Sequence, residues 1–166
     1  NEIHSVMIGH KRGRFTGGID VSGWCKDNKD KWQALQEITE HNETAFAKAN
    51  DDIYRSQKSF AENNIRPEHR IGEGIFTTLS ANRYSAYQSA KMAAHVDSGD
   101  TDAGMTSMCV FREGDYDGAY LCFPRYGIAI DAPDNSVVIA DSQEVHGVTP
   151  ISGKGQRFSC VAYCDR

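Results

Sequence analysis

The feature that most constrains this chain is a change of hydrophobic period near Pro67. From about Asp30, the residues Trp32, Leu35, Ile38, Phe46, Ala49, Ile53 and Phe60 recur mostly at three-, four- and seven-residue intervals, the period of an amphipathic helix. Asn28 or Asp30 stands where an N-cap is needed. The polar stretch from Thr39 to Thr44 leaves two forms open, one long helix or two with a break near Asn42. Asn63-Asn64-Ile65-Arg66-Pro67 ends the helical part, because proline disfavours helical backbone in the residue before it. After Pro67 come six short β-branched or aromatic runs, IFTTLSA, MTSMCVF, AYLCF, YGIAI, SVVIA and RFSCVAY, separated by Gly, Pro, Asp or Asn. They read as strands of an antiparallel sandwich or barrel. Glu113-Gly114-Asp115-Tyr116-Asp117-Gly118 and Ala132-Pro133-Asp134-Asn135 read as turns. Helices first and sheet afterwards is the α+β order.

A chain of 166 residues suits one domain. The expected division is helical support over about 28–64 and a β core over about 71–166. The first thirty residues, rich in Gly, Lys, Arg and Asp, read as loops with at most one short strand. No apolar run approaches the length of a membrane span, and the opening residues do not read as a secretory signal. Cys25, Cys109, Cys122, Cys160 and Cys164 are odd in number and contain no C-x-x-C pair, which speaks against a disulfide framework or a thiolate zinc site. An intracellular setting is expected. The formal charge of -5 excludes a protein that grips nucleic acid through overall basic charge.

His95-Val96-Asp97 places two metal-ligand types two residues apart, a spacing that in a strand turns both to one face. With six histidines in the chain, one H-x-D is weak evidence alone. His146 follows after the run of expected strands, and Arg157 stands eleven positions beyond it with Ser159 two further on. Two histidines and a carboxylate on one face of iron(II) leave open positions for a 2-oxo acid and dioxygen. A guanidinium suits the far carboxylate of 2-oxoglutarate, since its planar fork gives two charge-assisted hydrogen bonds. Arg157 is the candidate anchor, and Ser159 adds a hydroxyl donor. A cupin-type binder or a zinc hydrolase with the same three ligands is the rival reading, but neither needs R-x-S.

The runs IFTTLSANR, HVDSGDTDAG, GDYDGAYLCFPRYGIAID and EVHGVTPISGKGQRFSCVAY resemble the TET/JBP-like branch of the Fe(II)/2-oxoglutarate dioxygenases, including small fungal and phage-type members. The likeness covers roughly Ile75 to Tyr163. It implies a double-stranded β-helix, iron bound by His95, Asp97 and His146, and 2-oxoglutarate held at Arg157. The chain departs from the pattern in a longer link RYSAYQSAKMAA, in Ala119 where a second Gly is common, and in Val145 where Trp often precedes the distal His. By the same resemblance the substrate would be the 5-methyl group of 5-methylcytosine or thymine in DNA, a base that must be single-stranded or flipped. Asn82, Arg83, Asp100 and Tyr116 are candidates to read it. Lys11, Arg12 and Arg14 within HKRGR are candidates for a phosphate clamp, with Arg66, His69 and Arg70 as a second cluster. The alternatives are a hydroxylase of a free amino acid, peptide or small metabolite, and a jelly roll that binds a ligand without turnover.

Overall fold

A computed structural model describes residues 4–13, 17–88, 91–102 and 104–165. The helical segment forms two helices, α2 (Lys29–Ala49) and α3 (Asp51–Asn64), after a short α1 (Gly23–Asp27). The break lies at Asn50, not near Asn42. Asn50 closes α2 with extended backbone and caps α3 through its side chain, which accepts from the Ile53 amide at 3.1 Å. The polar stretch that suggested a break faces inward instead. Thr39 and Asn42 are fully buried, and the Asn42 amide donates to the Cys160 carbonyl of the sheet at 3.4 Å.

The strands are β1 (His4–Arg12), β2 (Ile19–Val21), β3 (Thr78–Ser85), β4 (Met92–His95), β5 (Thr106–Gly118), β6 (Leu121–Phe123), β7 (Ile128–Ile130), β8 (Ser136–Ala140), β9 (His146–Val148) and β10 (Ile151–Tyr163). They form two antiparallel sheets, in the orders β2-β1-β3-β10-β5-β8 and β4-β9-β6-β7. All six expected strands are present. The first thirty residues differ from expectation, because β1 pairs with β3 over six residues and with β2 beyond it. Its Val6-Met7-Ile8 core lies among residues whose composition suggested loop.

The expected turn over 113–118 is also a strand. It continues β5 and pairs residue for residue with Ile151–Gln156 of β10. Gly114, Gly118 and Gly153 carry positive φ inside this ladder, so the glycines shape a strongly twisted ribbon. The turn at Ala132–Asn135 is as expected, with the Ser136 amide donating to the Pro133 carbonyl and Asn135 left-handed.

The period-two alternation of the large sheet divides its side chains between two cores. Leu79, Cys160 and Ala162 face α2 and α3 and join Phe46, Ala61 and Phe76. Tyr84, Met108 and Val110 face the small sheet and pack with Leu121, Val148 and Ile151. The second set lines the inside of a double-stranded β-helix, and the helices brace its outer face. The cysteines are all free thiols. Burial pushes Cys160 up to about 11 and Cys164 up to about 12, so these two behave as small apolar residues.

Candidate metal and co-substrate site

His95 ends β4 and His146 begins β9. These strands pair so that the two residues lie opposite each other, ring centroids 4.5 Å apart. That closeness depends on Gly147, where any Cβ would stand 3.0 Å from the Met92 carbonyl across the ladder. Asp97 lies just past the end of β4, in a loop rather than on the strand face expected for it. Loop hydrogen bonds fix it. The Asp97 amide donates to the Ser142 carbonyl at 3.0 Å, while its own carbonyl accepts from the Asp100 amide at 3.0 Å and from the Gln143 side chain at 3.1 Å.

The three side chains converge. Asp97 Oδ1 lies 3.4 Å from His95 Nε2, and Oδ2 lies 3.5 Å from His146 Nε2. One ligand atom from each residue falls within 4.8 Å of the others. Each Nδ1 meets a backbone carbonyl, Ala93 for His95 at 2.8 Å and Glu144 for His146 at 2.9 Å. A carbonyl only accepts, so each Nδ1 carries hydrogen and each Nε2 turns a lone pair toward Asp97. This donor set suits a divalent cation of the first transition row. Without one, Asp97 raises the His146 pKa through their hydrogen bond, against the opposing effect of burial. A cation at this point replaces that proton.

The three residues stand on the wall of a cavity of about 430 Å³ running between the sheets. Asn82, Asp100 and Ser159 also line it. Asp100 is buried and accepts from Ser142 Oγ at 2.7 Å, and burial pushes its carboxyl up to about 7. Arg157 lies deeper. It is 2% exposed, its guanidinium stands over the Tyr84 ring at 5.4 Å, and Nη2 reaches Met108 Sδ at 3.4 Å. Nη1 is buried without a partner. Burial lowers the Arg157 pKa, yet a guanidinium stays charged. An uncompensated buried cation costs several kcal/mol, so this one suits an anionic ligand. Tyr84, whose hydroxyl burial pushes up to about 12, stays neutral. Its contribution was missed in the sequence, although it stands two residues after Asn82 and so shares its face.

Two candidates are misplaced relative to expectation. Arg83 points to the opposite side of β3 from Asn82 and Tyr84 and is exposed, its Nε donating to Gln156 Oε1 at 2.8 Å. Strand alternation alone puts it outside the cavity. Tyr116 does not line the cavity but is buried among Tyr84, Val110 and Ile151. Of the basic cluster, Lys11 is half-buried and Arg12 exposed on β1, and Arg14 lies outside the described residues. The Arg12 amide donates to Asp165, which lines the cavity, at 2.5 Å. The second cluster adjoins the first, the His10 and His69 rings being 5.7 Å apart.

A double-stranded β-helix that gathers two imidazoles and one carboxylate at one end of its interior has the arrangement of the non-haem oxygenases. The comparisons narrow that class. The Tet_JBP family profile, oxygenase domain of the 2OGFeDO superfamily, matches residues 25–166. The bifunctional helicase and thymine dioxygenase JBP2 of Trypanosoma brucei brucei (strain 927/4 GUTat10.1) is 32% identical over 102 residues, 60% of this chain and 9% of that protein. Thymine dioxygenase JBP1 of Leishmania tarentolae is 31% identical over 121 residues, 68% of this chain and 14% of that protein. Among solved structures, NgTET1 in complex with 5mC DNA superposes with a TM-score of 0.78 at 14% identity, covering 98% of this chain and 61% of that one. This last likeness is one of fold. The chain belongs to the Tet_JBP family and is a dioxygenase domain of that superfamily, whose name implies iron(II) and 2-oxoglutarate. It spans only about a tenth of the length of the two thymine dioxygenases.

Proposed function

We propose that this domain hydroxylates the 5-methyl group of a pyrimidine base, thymine or 5-methylcytosine, in DNA. The observation that carries the chemistry is the convergence of His95, Asp97 and His146 on the wall of a cavity whose lining residues Tyr84 and Met108 also touch the buried Arg157 guanidinium, which has an unpaired donor. Iron(II) held by the three ligands with 2-oxoglutarate supplies the oxidation: one oxygen atom of dioxygen enters a substrate C–H bond, the other enters succinate, and CO2 leaves. The chain's residues do the rest. The Ala93 and Glu144 carbonyls hold both imidazoles in the ligating tautomer. Arg157 takes the far carboxylate of the co-substrate, and Ser159, on the same face of β10, adds a donor.

The named activity of the two trypanosomatid relatives and the DNA of the NgTET1 complex support the choice of base. So does the wall beside the metal ligands. Asn82 and Asp100 offer a fixed amide and a carboxyl that is neutral over part of the physiological range, groups suited to a base edge. Arg83 takes no part. A duplex base reaches this cavity only when flipped, and Lys11 and Arg12, with the adjoining His69 and Arg70, would hold the backbone phosphates. Arg14 stays with the clamp by sequence alone.

The test is nucleoside mass spectrometry of thymine-containing and 5-methylcytosine-containing DNA after incubation with the protein, iron(II) and 2-oxoglutarate. One added oxygen on either base, matched by succinate, is the expected result. Succinate formed with no DNA product would move the substrate to a metabolite or peptide, and no succinate under any condition would leave a binding jelly roll.

A further inference from the structure

Tyr116 is 8% exposed, and its hydroxyl is one of the few buried side-chain polar atoms without a hydrogen-bond partner among the described residues. Arg157 Nη1 is another. The two belong to one place in the barrel. Along β5, Tyr116 and Arg112 share a face, and the Arg112 guanidinium stands over the Tyr116 ring at 4.4 Å. Arg112 is paired with Arg157 across the ladder, and Tyr116 with Gly153. The Tyr116 ring leans over Gly155, where a Cβ would come within 2.8 Å of Cδ1. Gly155 and Arg157 are two apart on β10 and so face the same way. The ring therefore lies across the strand that carries Arg157, in the space a side chain at 155 would fill.

A buried phenol with nothing to bond is destabilising, and the strand places this one beside a cation with a donor to spare. Water could satisfy either group, but it would leave the positive charge uncompensated. A carboxylate satisfies both. It has two oxygens and about four lone-pair sites, enough for Nη1 on one oxygen and the phenol on the other. Arg157 keeps Nη2 on Met108 Sδ, a weak acceptor that does not compete.

We infer that the Tyr116 hydroxyl is a second donor to the distal carboxylate of the 2-oxo acid, closing with Arg157 a two-sided cradle at the deep end of the barrel. This rests on the reading of Arg157 as the co-substrate anchor. It moves Tyr116 from base recognition to co-substrate selection. Gly155 leaves room for the ring, although the Glu113 carbonyl, 2.6 Å from where a Cβ would stand, already demands glycine there.

The test uses two ligands that differ only at that end, 2-oxoglutarate and 2-oxopentanoate, which lacks the distal carboxylate. Equilibrium dialysis of anaerobic protein loaded with manganese(II) reads binding without turnover. The native protein should bind 2-oxoglutarate at least about a hundredfold more tightly, as expected of charge-assisted bonds. Tyr116→Phe should lower that preference about tenfold, the scale of one bond to a charged group, by weakening 2-oxoglutarate alone. Arg157→Lys should lower it further. A Tyr116→Phe protein that melts with the native one and keeps the full preference overturns the inference, while Arg157→Lys losing it leaves the anchor intact. If Tyr116→Phe melts early, the same dialysis is run at about 4 °C with the fold checked by circular dichroism, since a destabilised variant still folds well below its melting temperature, and an undiminished preference in the folded variant counts against the inference. A native protein that does not discriminate between the ligands overturns the reading of Arg157 itself.

Discussion

The two ends of the site are built differently. The metal end is made from the ends of two short strands and a loop, with His95 and Asp97 side chains 34% and 37% exposed. The proposed co-substrate end sits in the middle of the thirteen-residue strands β5 and β10, with Arg157 at 2%. Charge explains the contrast. A metal centre must admit dioxygen and a substrate, and two of its three ligands, His95 and Asp97, can remain solvated until a cation arrives. A lone guanidinium in a barrel core is tolerable only where the backbone around it is rigid and an anion is expected.

The largest effect should come from the open end. Asp97→Asn should abolish succinate formation while leaving the melting temperature within about 2 °C of native, because the loop hydrogen bonds of Asp97 are made by its backbone. A large fall in stability would show that the carboxylate is structural and would erase the contrast. At the deep end, Arg157→Lys should raise the KM for 2-oxoglutarate by roughly 10–100-fold, since a point charge replaces a fork. Here the fold should suffer little, and a fall in kcat with unchanged KM would contradict the anchor.

Between the ends, Gln57 on α3 clamps the segment leading from the Asp97 loop into β5. It accepts from the Met105 amide at 2.9 Å and donates to the Met105 carbonyl at 3.1 Å. Gln57→Ala should cost ~1–3 kcal/mol by leaving those groups unpaired, read in urea melts. The metal end should loosen more than the deep one, so metal affinity should fall while 2-oxoglutarate discrimination persists. Lys11→Ala with Arg12→Ala should weaken DNA binding a few-fold and flatten its salt dependence by about two phosphate contacts, without altering DNA-independent succinate formation.

The smallest effect is one of pH, far from either end. Burial raises the Glu43 carboxyl, against the Ile75 amide and Tyr54 hydroxyl that bond its ionised form. With the folded pKa above the unfolded one, the folded state holds the extra proton between the two, so stability falls as pH rises through that window. Glu43→Gln should remove that decline, measured as melting temperature against pH from 4 upward; a steeper decline in the variant would reverse the sign.

Much of the barrel could be read from local pattern. Each expected β run lies in a strand, because a half-buried strand must alternate or stay apolar wherever it pairs. The helices were visible for the same reason, and their break was misjudged because Thr39 and Asn42 are buried, Asn42 donating to a sheet carbonyl and Thr39 to the Leu35 carbonyl of its own helix. The 113–118 ribbon was mistaken for a turn because glycine signals positive φ but not whether a partner strand lies alongside. Arg83 was placed in the cavity although the alternation that selects Asn82 excludes its neighbour.

What the amino-acid order carried by itself was the family resemblance, on H-x-D, a distal His and R-x-S in a chain whose period turns from helix to strand. Spacing along a strand dictates which side chains share a face, which separates Asn82 from Arg83 and puts Ser159 on the side of Arg157. The tertiary structure alone decided that Asp97 is held by a loop, that Arg157 has a donor without a partner, and that Tyr116 lies beside it rather than beside the metal. Those facts depend on strand register, and register is set by the packing of residues far apart in the chain, such as Tyr116 against Gly153 and Arg112 against Arg157, which no local pattern carries.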